Sequence, residues 1–300
     1  MKTVVLITSA LMLMTSPVFS QPENLKVVQE KTAARIKEIA AKSRGALGVA
    51  VVDLTTGERF GLNEHLVFPQ ASAIKIAILM EVFKQAEEGK FKLTDARRIQ
   101  KQDKTGGSGV LVELGDGSVE MCIGDLCVLM IVLSDNTATN LLIDLVGKEN
   151  INRTLASLGF KETKVQRRMM DVAASHRGEE NLSTPAEAAR IMELLFKGEF
   201  VSRKACDDML AILKKSKSTN LKAGLPEDVT IASKPGGIAG VATEWAIVYV
   251  KERPYAIAVM ENYGLGDAPE AMKEISGTVH DYFSRLGRAT AHGALVDKPK

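Results

Sequence analysis

The chain has 300 residues, of which 45% are hydrophobic and 25% charged, with a formal net charge of +2. Lys and Arg are scattered among Asp and Glu, with no basic stripe and no aromatic platform, so nucleic acid is a poor partner. No segment beyond the first twenty residues reaches transmembrane length, which speaks against membrane insertion.

Those first twenty residues read as a targeting segment. Lys2 supplies a small positive start, Val4 to Met14 is an apolar stretch, and Val18-Phe19-Ser20 is a small-residue cleavage site with Gln21 as the new N-terminus. The expectation is an exported protein, periplasmic or secreted after cleavage near Ser20. About 280 residues remain, enough for one large or two interleaved domains.

Residues 24–43 carry Leu25, Val28, Ala33, Ile36, Ile39 and Ala40 at helical spacing. Gly45 to Asp53 is small and β-branched, Thr55-Thr56-Gly57-Glu58 is a turn, and Arg59 to Leu62 returns, which predicts a β-hairpin. From Ala71 to Lys214 the pattern is mostly helical. Ile74 to Ala86 is apolar nearly all round, the mark of a buried helix. Asp125 to Leu133 and Ala138 to Val146 are two further helices. Thr184-Pro185 opens another, with Thr184 as cap and Pro185 at the first helical position. Val229 to Lys234, Trp245 to Val250 and Tyr255 to Glu261 read as strands, and 268–287 as a closing helix.

Strands at both ends of the chain most simply join one antiparallel sheet, with the helical middle inserted. The expected fold class is α+β: a five-stranded antiparallel sheet domain (21–66 and 218–290) beside an all-helical domain (67–217). Residues 291–300 form a polar tail.

Cys122, Cys127 and Cys206 are an odd count, so at least one thiol is free. Cys122 and Cys127 lack the spacing of a C-x-x-C pair, and small buried side chains are the expectation for all three. His65, His176, His280 and His292 are isolated, and no metal site or cofactor is expected.

Three segments carry chemistry. Ser72-Ala73-Ile74-Lys75 reads S-x-x-K at a predicted helix start, with both side chains on one face. A serine hydroxyl needs a base, and a Lys in an apolar site can have its pKa lowered enough to serve. Ser134-Asp135-Asn136 sits at a break between two helices, 62 residues after Ser72. Its Ser can relay a proton to a leaving nitrogen, and its Asn can hold a substrate amide. Lys234 ends a predicted strand before Pro235-Gly236-Gly237, where a strand edge can pair with an extended substrate and Gly237 lets the backbone approach closely.

Together these segments resemble the S-x-x-K, S-D-N and K-T-G set of class A β-lactamases and penicillin-binding serine hydrolases. Further matching stretches are Gly45–Glu58, Phe68-Pro69-Gln70-Ala71-Ser72 and Ser134 to Asn140, and the likeness covers residues 24–288. It implies Ser72 as nucleophile, Lys75 as its base, and Ser134 and Lys234 as a proton shuttle. Asn136 and Gly236 would bind substrate, and the N–H groups of Ser72 and Gly237 would form an oxyanion hole. The implied partner is a β-lactam or a D-Ala-terminated peptide, taken by a monomer without cofactor.

The chain departs from that family in four places. Counting from Leu158-Gly159, Met169 stands where class A enzymes carry the glutamate that releases the acyl group, and a thioether cannot activate water as a base. Asn140, which orients that glutamate in relatives, is retained, and Asp171 could act as a substitute if the loop is reshaped; otherwise it pairs with Arg167 or Arg168. Pro235 replaces a hydroxyl residue, and Ala242 lies where many relatives place an Arg, both of which serve a substrate carboxylate. Cys127 matches half of a disulfide found in some relatives, but Leu79 occupies the partner position. The expected activity is a serine hydrolase acylated at Ser72 with slow deacylation. A D-Ala-D-Ala peptidase and a non-hydrolytic β-lactam sensor are the alternatives, with a glutaminase weaker.

Overall fold

The computed structural model describes residues 23–215 and 218–296. The predicted leader at 1–20 lies outside the described residues. Among them, no helix is long and apolar enough to cross a membrane.

The chain opens with α1 (Glu23–Ala40), then β1 (Ala46–Asp53) and β2 (Arg59–Leu62) as a hairpin. Asp53 Oδ1 accepts from Thr55 N at 2.8 Å, and Gly57 takes a positive φ of 81°, which together close the turn. Two-residue β3 (Phe68–Pro69) leads into a 3₁₀ turn, Ala71–Ile74, and then α2 (Lys75–Glu87). The helical region continues with α3 (Ile123–Val132), α4 (Asn136–Val146), α5 (Lys148–Ser157), α6 (Val172–His176), α7 (Pro185–Lys197), α8 (Arg203–Leu213) and short α9 (Asn220–Ala223). Thr184 caps α7 as predicted, its hydroxyl accepting from Glu187 N at 3.1 Å. Two small ladders interrupt this region: β4 (Ala96–Ile99) with β5 (Val119–Cys122), and β3 with β6 (Leu182–Ser183).

The chain ends with β7 (Thr230–Ile238), β8 (Val241–Tyr249), β9 (Tyr255–Asn262) and α10 (Ala268–Leu286). The main sheet is five-stranded and antiparallel, in the order β2-β1-β9-β8-β7. The mixed α+β fold is the expected one.

Period-two alternation sends successive strand residues to opposite faces. Val49 and Val51 join Ile36, Ile257, Val279 and Phe283 under α1 and α10. Ala50 and Val52 join Trp245, Ile247 and the helices α2 to α8 on the other face. Tyr255 and Phe283 stack with ring centroids 4.4 Å apart, fixing α10 on the sheet.

Several boundaries differ from the sequence reading; β8, for one, begins at Val241, four residues before Trp245. Strand β7 runs four residues past Lys234, through Pro235 and both glycines, because β7 is an edge strand and proline's missing N–H is tolerated there. The start of the polar tail also folds back: Ala289 bridges to Leu295, and Val296 N donates to Arg288 O at 3.0 Å. Cys127 and Cys206 are buried, but Cys122 is half-buried, and its Sγ caps α3 by accepting from Asp125 N at 3.3 Å. All three thiols are free; Cys127 and Leu79 lie in the same core.

Candidate active site

Ser72 lies within the 3₁₀ turn rather than in an α-helix, and Lys75 opens α2 one turn later. The turn is held from the sheet side by Gln70. Its side-chain Oε1 accepts from Trp245 Nε1 at 2.8 Å, its Nε2 donates to Phe68 O at 2.8 Å, and its backbone O accepts from Thr243 Oγ1 at 2.9 Å. Gly236 presses on the same turn. A Cβ there would stand 2.5 Å from Gln70 O and 2.8 Å from Ser72 N. The close backbone approach expected at Gly237 therefore occurs at Gly236; a Cβ on Gly237 would meet only Val241 O, at 3.9 Å.

Lys75 is wholly buried, and its Nζ donates to Ser134 O (2.8 Å), Ser134 Oγ (3.0 Å) and Asn136 Oδ1 (3.0 Å). Burial, reinforced by the Lys234 ammonium and opposed by Asp135, lowers its pKa to about 6. The three acceptors are met together by the protonated amine; loss of one proton, favoured near neutral pH, frees a lone pair that lets the amine take a hydroxyl proton. Ser134 holds a positive φ of 53°, an uncommon conformation for a residue with a Cβ.

Asp135 anchors this corner. Its Oδ1 caps α4 through Ala138 N (2.9 Å), and its Oδ2 accepts from Val110 N (2.7 Å) and Leu111 N (2.9 Å). Asn136 extends the seam: its N donates to Ser108 O and its Nδ2 to Gly106 O, both at 2.9 Å. The segment from Gly106 to Leu111 is thereby laid against the start of α4 as a wall of the cleft. Lys234 is buried on β7, and its Nζ donates to Pro235 O at 2.8 Å. Glu244, directly across from Pro235, is buried as well. It accepts from Leu221 N at 3.1 Å, and burial raises its pKa.

The remaining predicted residues sit in the loop after α5. Arg167 pairs with Glu180 at 2.9 Å and Arg168 with Asp144 at 3.2 Å. Asp171 pairs with neither. It is exposed, and its carboxylate caps α6 by accepting from Ala174 N at 3.0 Å. Met169 is only 8% exposed, with its side chain in the core. Asn140 grips its backbone from both sides: Oδ1 accepts from Met169 N (2.8 Å) and Nδ2 donates to Met169 O (3.1 Å). Ser72, Lys75, Ser134, Asn136, Lys234 and Gly236 thus converge, whereas the Asp171 carboxylate is engaged elsewhere. Gln70 and Glu244 were not singled out from sequence; Gln70 stood inside a matching stretch, but nothing marked its side chain.

The sequence profile of the β-lactamase enzyme family matches residues 31–283. The chain belongs to that family. It is 26% identical over 249 residues to the imipenem-hydrolyzing β-lactamase of Enterobacter cloacae, covering 80% of this chain and 82% of the relative. It is 25% identical to β-lactamase SME-1 of Serratia marcescens, covering 75% and 78%. Among solved structures, the β-lactamase of Sphaerobacter thermophilus superposes with a TM-score of 0.77 at 31% identity, covering 84% and 96%. PBP-A superposes at 0.78 with 26% identity, covering 85% and 97%. A leucine-to-glutamate variant of PBP-A, solved as an acyl-enzyme with penicillin G, also superposes at 0.78. As a member of the β-lactamase family, the chain is a serine hydrolase working through an acyl-enzyme.

Proposed function

We propose that this serine hydrolase is acylated at Ser72 by β-lactams or related amides and releases the acyl group slowly. Lys75 takes the Ser72 proton as Oγ bonds to the carbonyl carbon. The carbonyl electron pair moves to oxygen, which the N–H groups of Ser72 and Gly237 receive. As the C–N bond breaks, the nitrogen takes a proton through Ser134, backed by the Lys234 charge, and Asn136 holds the substrate amide. Support comes from the three contacts of the Lys75 amine and its lowered pKa.

The observation that carries slow release is the Asn140 clamp on Met169. The amide that would orient a water-activating carboxylate is occupied by backbone, and the side chain at that place is an apolar thioether turned into the core. General-base assistance is worth about 10²–10⁴-fold, so its absence prolongs the acyl-enzyme. A second reading, a peptidase acting on D-Ala-terminated peptides, draws on the likeness to PBP-A. The leader-like residues 1–20 support export to the compartment where either substrate is met.

Intact-mass spectrometry after mixing with penicillin G and a cephalosporin tests the reading. A lasting adduct on the wild type that is absent from Ser72→Ala is expected. Rapid hydrolysis without an adduct overturns slow release, and absence of both adduct and hydrolysis leaves the peptide substrate.

A further inference from the structure

Met170 is an exposed side chain on a fixed backbone. It is 53% exposed, whereas Met169 beside it is turned into the core. Asn140 clamps the backbone of Met169, and Val172 N donates to Met170 O at 2.9 Å. Arg168, two residues earlier, is tied to Asp144 on α4. Met170 holds a φ of 63°, in the left-handed region that a residue with a Cβ rarely adopts. Burial of its side chain does not account for that conformation. Backbone strain of this kind persists where the surroundings over-determine it, and it gathers at ligand sites.

The side chain reaches the wall of the cleft that begins at Gly106. A Cβ on Gly107 would stand 2.8 Å from Asn136 Nδ2, 2.9 Å from Met170 Sδ and 3.5 Å from Met170 Cε. The thioether and the Asn136 amide therefore flank one point, the place a side chain at position 107 would take. Gly107 has a φ of 93° and no side chain, which leaves that place to Met170. The wall is itself fixed to α4, since Thr105 N donates to Thr137 Oγ1 at 2.9 Å. Asn136 Nδ2 gives one N–H to Gly106 O, and its second N–H has no acceptor among the described residues. An open amide donor and an exposed apolar arm thus stand side by side in the cleft.

We propose that Met170 selects the acyl side chain of the substrate, and that it favours an apolar one. A carbonyl held by the second Asn136 N–H sits about 2.9 Å from Nδ2 and carries its side chain on the adjoining carbon, in the neighbourhood of Sδ. A thioether is soft and adaptable and packs well against an aromatic ring. A charged side chain placed there gives up water and gains no hydrogen bond of comparable strength from Met170. Because Asn136 is assigned the substrate amide by the acylation reading above, the inference rests on that reading.

Two penicillins that differ only in this side chain test it: benzylpenicillin, and its acetamido analogue in which methyl replaces benzyl. Acylation of Ser72 by each is followed by intact mass, and the ratio of the two rates is read. The wild type should favour the benzyl form at least fivefold. Met170→Ala and Met170→Gln should each lower that ratio about fivefold, the scale of one apolar contact with an aromatic ring. Met170→Leu should keep it within about twofold, because the apolar bulk remains. Both penicillins react at the same serine through the same amide, so a general disturbance of the loop changes both rates and leaves the ratio. A wild-type ratio near one, a ratio unaltered by Met170→Gln, or a Met170→Leu ratio as low as that of Met170→Gln overturns the proposal. If neither penicillin acylates the protein, the acylation reading fails, and phenylacetylglycine decides Met170 separately. In protein isotope-labelled at its methionine methyl groups, a saturable shift of the Met170 resonance with phenylacetylglycine and none with acetylglycine upholds the proposal. No shift with phenylacetylglycine, or equal shifts with both, overturns it.

Discussion

Acidification probes the Lys75 amine most directly. With a pKa near 6 rather than 10.5, about nine-tenths of it is free base at pH 7, against about 3 × 10⁻⁴ for an ordinary lysine. That is a gain of about 3,000-fold in competent base. Between pH 8 and pH 5 the free-base fraction drops from about 0.99 to about 0.09, so acylation should slow about tenfold, with its midpoint near 6. Stopped-flow acylation by a chromogenic cephalosporin reads this. Removing the second-ranked cause, with Lys234→Ala, should move the midpoint upward. The sign for stability follows from the same depression. Between pH 6 and 10.5 the unfolded chain keeps a proton that folded Lys75 has released. Stability from this group is therefore complete above 10.5 and declines as pH falls toward 6, by at most about 1.4 kcal/mol per pH unit. An acylation rate that climbs tenfold per pH unit from 6 to 9 would refute a depressed Lys75.

Met169→Glu should raise the rate of penicilloyl release by about 10–10³-fold while leaving acylation within a few-fold, as read by decay of the adduct in time-resolved mass spectra. The gain is held below the full range because the new carboxylate must first leave the core position of the thioether. Gly236→Ala should slow acylation at least tenfold and lower the melting temperature, since its Cβ would collide with Gln70 O, Ser72 N and Ala73 N, all backbone atoms. Asp135→Ala should cost about 2–4 kcal/mol in urea unfolding, because three backbone N–H groups lose their acceptor at once. A cost under 0.5 kcal/mol would show that water replaces the carboxylate.

Elements whose pattern is local were legible in the sequence. The β1–β2 hairpin follows from its turn residues, α7 from Thr184-Pro185, and α2 from an uninterrupted apolar run. The ladder of β4 with β5 was not. Ala96, Arg97 and Arg98 are exposed, so no apolar alternation marks the strand, and its partner begins some twenty residues later. The site divided in the same way. S-x-x-K places Ser72 and Lys75 by helical geometry alone, but the fate of Asp171 depended on where Arg167 and Arg168 found partners, and both found others. Glu244 and Glu261 lie within apolar strands, where a glutamate reads as an outward-facing residue. Packing of α9 on Glu244, and of the segments at Ser43, Gly45 and Gly264 on Glu261, buries them.

The Gln70 strut divides the cleft between two supports. The turn bearing Ser72 hangs from β8 through Trp245 and Thr243, whereas Ser134 and Asn136 are fixed by Asp135 to the wall of the helical side. Strain introduced in the sheet core reaches the bond-forming carbonyl pocket first, and strain introduced around α3 and α4 reaches proton traffic first. Adaptive change can therefore retune one half while the other stands. Substitutions drawn from opposite halves should combine with nearly independent effects, and those within one half should interfere.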